Sequence, residues 1–362
     1  MQSNLTEQKS IKVTVILPSL NVHKYIGECI DSVCNQTLKN IEIICVDAGS
    51  TDGTLEILQE KASLDDRIVL LHSDARSYGH QVNMGIDLAR GEYIAIVETD
   101  DFVEPNMYEA LSVCGDRLQA DVVKGPYTEL SRKNHKQDCY YREIISKKLP
   151  LDCCFSAKEH GEVLQYHASV WAAVYRTSYL RNNNIRFVEA PGAGYVDVGF
   201  RIDTMINTEK LAWLDQPLYC YRVDAAGSST AHFKLPIMIT RWREAHEKFV
   251  AIQDDYDKYY GPYLLDDEYL NTLAYLHRIP VEETMYEAIV YNLSYVKRVT
   301  VIQSVLSQQA KEEIFNVWDN TVLFYSNAQK YIDIKSKLYM LGGVILPKGS
   351  LGRLMVKKLI KK

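Results

Sequence analysis

An α/β fold, with a mixed but mostly parallel sheet flanked by helices, is what the first third of this chain predicts, and three observations carry that reading. Short β-rich runs alternate with helical patterns from Lys12 to about Lys124, the signature of a doubly wound sheet. Polar or flexible residues follow each apolar run, as expected where strand carboxyl ends face a ligand crevice. One apolar run, Tyr93-Ile94-Ala95-Ile96-Val97, stops abruptly in Glu98-Thr99-Asp100-Asp101, where like charges crowd without any packing reason.

The elements follow in order. Val13 to Leu17 is a first strand and Lys24 to Gln36 a helix, after which Ile41 to Val46 is a second strand. Asp52-Gly53-Thr54-Leu55-Glu56 reads as the capped start of the next helix. Ile68 to Leu71 is a third strand, Gly79 to Ala89 a helix, and the strand into Glu98 completes this alternating first half, which closes at about residue 125. Tyr127 to Tyr166 is mostly polar with no clear period, and 132–136 reads as an exposed loop or hairpin. Val170 to Arg176 is again a strand, followed by a short helix from Thr177 to Asn183. Glu189-Ala190-Pro191-Gly192-Ala193-Gly194 then precedes a helix with Asp197 at its opening, a pattern suited to a ligand-facing loop. From about Pro236 the texture turns helical: Ile237 to Tyr256, Tyr263 to His277, Val281 to Val296 and Val301 to Phe315 carry apolar residues at spacings of three and four.

The predicted organisation is therefore a disordered start at 1–10, an α/β domain at 11–235 with halves at 11–125 and 126–235, a helical appendage at 236–334, and a tail at 335–362. With 362 residues, 47% of them hydrophobic, the chain can bury a large core. Its formal charge of −6 argues against a general nucleic-acid binder. No run approaches a membrane span and the first ten residues hold no apolar signal region, so a cytoplasmic protein is expected. Eight scattered cysteines without a Cys-x-x-Cys pair read as reduced core thiols.

The strand ends supply the chemistry. Pro18-Ser19-Leu20-Asn21, the turn from Asp47 through Gly49 to Gly53, and His72-Ser73-Asp74-Ala75-Arg76 join the acids at 98–101. Together they form a plausible nucleotide-diphosphate site: carboxylates for Mg²⁺ or Mn²⁺, an arginine for phosphate, small residues for close approach. Each element also has a plainer reading, as turn glycines, a helix cap or a solvated acidic turn. There is no Gly-x-Gly-x-x-Gly after the first strand and no Gly-Lys-Ser/Thr loop, so dinucleotide and P-loop readings lack support.

Val13 to Asn21, the run Val46-Asp47-Ala48-Gly49-Ser50-Thr51-Asp52-Gly53-Thr54, and Asn83 through Asp101 resemble the family-two glycosyltransferases of the GT-A fold over roughly residues 11–230. That resemblance implies transfer of a sugar from a nucleotide-diphosphate donor, UDP-hexose or UDP-HexNAc favoured, to an acceptor hydroxyl with inversion, in cell-surface polysaccharide or glycoconjugate synthesis. It assigns Pro18, Ser19, Asn21, Asp47, Gly49, Arg76, Asp100 and Arg222 to the donor, Asp101 and Glu98 to a Mn²⁺ or Mg²⁺ ion with Asp101 the direct ligand, and Asp197 to the catalytic base. Arg76, Tyr78 and His80 face either the donor or the packing of a helix start, and Arg222 with Ser228 closes over phosphate. Arg76 to Gln81 departs from the commoner small-residue run of the family, and so do two single positions: Ala48 where a second Asp is common, and Val196 where a Glu usually precedes the base. The last two keep open a catalytically idle sugar-nucleotide-binding scaffold as one alternative. A soluble enzyme that modifies a protein is the other.

The tail, Lys335 to Lys362, carries eight basic residues and no acid. Leu351, Leu354, Met355 and Leu359 share one face of a short helix with Arg353 and lysines beside it, which suits the anionic inner surface of a membrane. The expected protein is cytoplasmic and peripheral to that membrane, with a sugar or lipid-linked saccharide as acceptor.

Overall fold

The structure, a computed structural model, describes residues 10–130, 137–140, 149–165 and 169–222, together with 241, 244, 252 and 255–260. The expected alternation is present. Strand β1 (Val13–Ser19) leads to α1 (His23–Cys34), β2 (Ile41–Asp47) to α2 (Thr54–Leu64), and β3 (Ile68–His72) to α3 (Tyr78–Leu88). Then come β4 (Tyr93–Ile96), β5 (Phe102–Val103), α4 (Met107–Leu118), β6 (Val122–Lys124), β7 (Tyr127–Leu130) and β8 (Gln137–Tyr140). The remaining elements are a 3-10 turn at Gly161–Gln165, β9 (Ala173–Arg176), α5 (Thr177–Asn182), α6 (Asp197–Ile206), β10 (Leu211–Trp213) and β11 (Tyr219–Arg222).

The main sheet has seven strands in the order β10-β6-β9-β4-β1-β2-β3. β1 pairs in parallel with both β2 and β4, so three strands deliver their carboxyl ends to one edge. β9 runs antiparallel between β4 and β6 and makes the sheet mixed. Val13, Val15, Ile16, Leu17, Ile43, Val46 and Ile94 to Val97 have essentially no exposure. Burial on both faces explains why these strands read as continuous apolar runs without alternation.

A second sheet, β5-β11-β7-β8, arises where the sequence showed no clear period. β7 and β8 form an antiparallel pair in which Tyr127 faces Tyr140, so the polar stretch around 131–136 joins two short strands. β11 lies parallel to β7 and antiparallel to β5, which begins one residue after Asp101. Trp171 stacks on Tyr219 with ring centroids 4.1 Å apart and meets Tyr127 edge-on at 4.8 Å. This aromatic cluster fixes β11 beside the acidic strand end.

Some element ends differ from expectation for local reasons. The predicted strand from Val170 starts at Ala173, because residues 170–172 form a turn in which Ala172 N–H donates to Ser169. Helix α2 has Gly53 as its N-cap at φ 95°, and Asp52 one residue earlier accepts from Thr54 N–H at 3.1 Å and from His23 N–H at 3.0 Å. Cys29, Cys45, Cys114 and Cys220 are buried, as core thiols should be, whereas Cys153 is exposed.

The chain divides into two compact units, Met1–His232 with Arg241–His246, and Phe233–Thr240 with Glu247–Lys362. Of the second, the described residues are 252 and 255–260, with a π-helical turn at Tyr256–Tyr260 in which Tyr260 is buried. The rest of the predicted appendage, Ser228 and the basic tail lie outside the described residues. Among the described residues no helix is long and apolar enough to cross a membrane.

Helix α3 approaches the loop before α6 at Gly79, where a Cβ would stand 2.1 Å from the carbonyl oxygen of Val188. Gly79→Ala is expected to destabilise the fold by about 1–3 kcal/mol, read from the midpoint of urea unfolding at unchanged slope.

Candidate active site

The site is built where β1, β2 and β4 end. Strand carboxyl ends need partners for their last backbone groups, and the loops supply them to one another. Thr99 donates its hydroxyl to the Pro18 carbonyl at 2.9 Å. Gln81 donates to the carbonyls of Ser19 at 2.9 Å and Val46 at 2.6 Å, tying α3 to two strand ends. Asn21, at φ 54°, accepts from Thr51 N–H at 2.9 Å and donates its own N–H to Ser50 at 2.9 Å. Pro18, Ser19 and Asn21 are thus drawn together as expected, through bonds that hold the loops in place.

Asp47 is fully buried, and both its oxygens are engaged by its own turn: N–H groups of Gly49 and Ser50 at 2.9 Å, and the Ser50 hydroxyl at 2.5 Å. Its work is to shape the loop at the end of β2, with Gly49 at φ 78° as the residue that allows the turn. Arg76 lies across this turn, exposed, its guanidinium 3.5 Å from the Gly49 carbonyl, and has no carboxylate partner among the described residues. An arginine fork so placed is free to take an anion.

The acids divide by environment. Asp101 is fully buried, and its carboxylate accepts from the Tyr219 hydroxyl at 2.9 Å and from Arg222 N–H at 2.7 Å. Burial and the neighbouring Asp100 push Asp101 well above the usual carboxylate range, while those two hydrogen bonds pull it back. Each oxygen of Asp101, the residue expected to be the direct ligand, accepts one hydrogen bond from β11, and the pair anchors that strand to the acidic end of the site. Asp100, half-buried, has no side-chain hydrogen bond among the described residues, and burial raises it above its ordinary value. Glu98 accepts from the Tyr78 hydroxyl at 2.6 Å. Burial, with Asp100 and Asp197 adding repulsion, lifts Glu98 to about 8 despite that bond.

Asp197 opens α6, half-buried. Burial raises its carboxyl, with Arg201, the backbone N–H groups at the helix start and Lys124 opposing that rise. Its charge is felt by Glu98, Tyr78 and Tyr175, so the acid of α6 and the acids after β4 share one electrostatic neighbourhood. The loop before it is fastened to α3. Gly192 exchanges backbone hydrogen bonds with Arg76 at 2.9 Å and Tyr78 at 3.0 Å. Glu189 meets His80 at 2.8 Å and Asn83 at 2.9 Å. Arg76, Tyr78 and His80 therefore part company: the first reaches over the β2 turn, the second holds Glu98, and the third braces the loop. Arg222, expected over phosphate, has its guanidinium engaged inside the protein, with Glu28 at 2.6 Å and the Asp100 carbonyl as acceptors.

A model of the family described as Glycosyl transferase family 2 matches residues 14–142, the span that supplies most of these groups. The chain is 44% identical over 231 residues to the glycosyltransferase GlyG of Streptococcus pneumoniae serotype 4, covering 62% of this chain and 74% of that one. The chain belongs to the family-two glycosyltransferases. This family-two chain is also 29% identical over 281 residues to an uncharacterized glycosyltransferase, EpsJ, of Bacillus subtilis, covering 74% of this chain and 76% of that one. In fold it is similar to S. aureus TarS 1–349 solved in complex with UDP-GlcNAc, at a TM-score of 0.61 and 16% identity over 97% of this chain and 90% of that one. The sheet and its flanking helices are the GT-A fold.

The metal expected of such a site can be tested against the donor set. Among the described residues no group of three or more His, Cys, Asp or Glu is arranged to hold an ion. Mg²⁺ and Mn²⁺ do not need one, since one or two carboxylates with water and substrate phosphates suffice for hard cations. Asp100, without a side-chain partner, and Glu98, raised by burial and by its neighbours' charge, fit that requirement.

Tyr219, Glu189 and Lys124 were not singled out as site residues from the sequence. Lys124 ends β6 with its ammonium group buried and donating to the carbonyl and hydroxyl of Ser169 at 2.5 and 2.6 Å. A lysine closing an apolar strand is the one signal that pointed to it, since a buried amine calls for dedicated acceptors.

Proposed function

We propose that this glycosyltransferase inverts configuration in a single displacement, moving a hexose or N-acetylhexosamine from a UDP donor to a hydroxyl of a growing surface polysaccharide or glycoconjugate. The observation that carries the reading is that the charges of both Asp100 and Asp197 reach Glu98, with an arginine without a carboxylate partner among the described residues over the β2 turn. One carboxylate on a helix start opposite a diphosphate site is the arrangement that in-line attack requires.

In this scheme the loop after β2 and Arg76 receive the nucleoside diphosphate. Arg76 contributes charge and hydrogen bonds to phosphate oxygens. Asp100, with Glu98, would hold Mn²⁺ or Mg²⁺, which would supply Lewis-acid neutralisation of the departing diphosphate. Asp197 accepts the proton of the acceptor hydroxyl as its oxygen bonds to the anomeric carbon and the bond to the diphosphate oxygen breaks. The raised affinity of Asp197 for a proton suits that task, because a base needs a conjugate acid weak enough to hold the proton it takes. The donor preference is supported by the likeness in fold to TarS, which was solved with UDP-GlcNAc. The basic tail at 335–362 is the part of the chain suited to an anionic membrane surface, where lipid-linked acceptors reside.

Thermal unfolding tests the donor assignment. Ligand at 100 times its dissociation constant stabilises the fold by about 2.7 kcal/mol, so a UDP-sugar with Mn²⁺ is expected to raise the midpoint where GDP-, CDP- and ADP-sugars do not. A rise with another nucleotide class would reassign the donor, and no rise with any would favour the scaffold reading.

A further inference from the structure

The acidic end of the site is braced by Arg222 from within the protein. Arg222 is the last residue of β11, and its side chain is only 7% exposed. Three of its groups bind two parts of the fold, the acidic turn after β4 and helix α1. Its N–H holds Asp101 at 2.7 Å, one guanidinium nitrogen donates to the Asp100 carbonyl, and another donates to Glu28 of α1 at 2.6 Å. The guanidinium plane lies over the ring of Phe102 at 4.8 Å and that of Tyr25 at 5.4 Å. Glu28 is its one carboxylate ion-pair partner among the described residues, and its own side chain is 60% exposed.

We propose that Glu28 is a positioning residue for the metal, an inference that rests on the reading of Asp100 as the ion's ligand. It acts through Arg222. A guanidinium held by Glu28 on one side keeps the backbone of Asp100 fixed on the other, so the Asp100 carboxylate is presented in one orientation. Its charge is also spent on Glu28. With Glu28 removed, the nearest anions left to that guanidinium are Asp100 and Asp101, and a cation turned towards them opposes the binding of another. Partners of this kind, one step removed from a metal, typically alter its affinity by about 10–100-fold.

The test measures Mn²⁺ bound by the full-length protein in the presence of saturating UDP, from the loss of the free-ion electron paramagnetic resonance signal. Glu28→Ala is expected to raise the Mn²⁺ dissociation constant by about 10-fold. The metal concentration giving half-maximal transfer should rise in parallel, while kcat at saturating metal falls far less. Glu28→Gln keeps an acceptor for the guanidinium and should recover most of the affinity. An unchanged Mn²⁺ affinity in Glu28→Ala, or a loss of kcat with no change in metal dependence, would overturn the positioning role and leave the metal reading intact. A parent protein that takes up no Mn²⁺ with UDP would overturn both.

Discussion

Replacing Asp197 by Asn is expected to lower kcat by about 10³-fold, within the range that general-base catalysis supplies, with the thermal shift produced by donor and Mn²⁺ unchanged. The amide keeps the shape of the side chain and its place at the start of α6 but cannot accept a proton. The parent enzyme should lose activity on acidification with a midpoint above the ordinary aspartate range, because burial raises Asp197 and the base works only when ionised. Below that midpoint the carboxyl is protonated and idle, and above it the rate reaches a plateau. A kcat–pH profile in parent and variant, with the donor saturating, checks both parts. An Asp197→Asn variant that transfers sugar at the parental rate would remove Asp197 from the mechanism and return the scaffold or an alternative base to consideration.

The second large effect separates two neighbours that the sequence treats alike. Asp100→Ala is expected to reduce transfer by about 10³-fold, equivalent to about 4 kcal/mol of transition-state stabilisation. Its unfolding midpoint in metal-free buffer should be unchanged or higher, since a carboxylate raised by burial is removed and Asp101 loses a repulsive neighbour. Asp101→Ala should behave in the opposite sense. It leaves the Tyr219 hydroxyl and Arg222 N–H without their acceptor inside the protein, at about 1–3 kcal/mol for each orphaned donor. Unfolding curves and Mn²⁺ binding on the two purified variants distinguish the roles. Stability lost by Asp100→Ala and metal binding lost by a stable Asp101→Ala would reverse them.

The reason for the division is three-dimensional. Asp100 and Asp101 are consecutive, and a strand end gives no hint of which side chain turns inward. That depends on β5 leaving the strand end and pairing with β11, which brings Tyr219 and Arg222 from more than a hundred residues away onto Asp101. The same long-range pairing engages the Arg222 guanidinium with Glu28 and the Asp100 carbonyl. A lone arginine near the end of a domain reads as an anion binder, whereas its partner Glu28 sits on the first helix at a position with no motif to mark it. The second sheet was illegible for a related reason. Its strands are two to four residues long, too short to display a period of two, and their stability comes from the ring cluster of Tyr127, Trp171 and Tyr219.

What the sequence determined by itself is the local and the periodic. Apolar runs buried on both faces set the parallel strands, amphipathic spacing set the helices between them, and the chain's order of strand-end polar residues placed the ligand crevice and its acids. Those features are legible because each is encoded within about ten consecutive residues. Only the tertiary structure decided which acid is anchored and which is presented, that Asp47 spends its carboxylate on its own turn, and that Tyr78, Asn83 and Glu189 fasten the loop of Asp197 to α3. Hydrogen bonding is directional and saturable, so the task of a carboxylate is set by the donors that reach it first, and most of those donors come from distant parts of the chain.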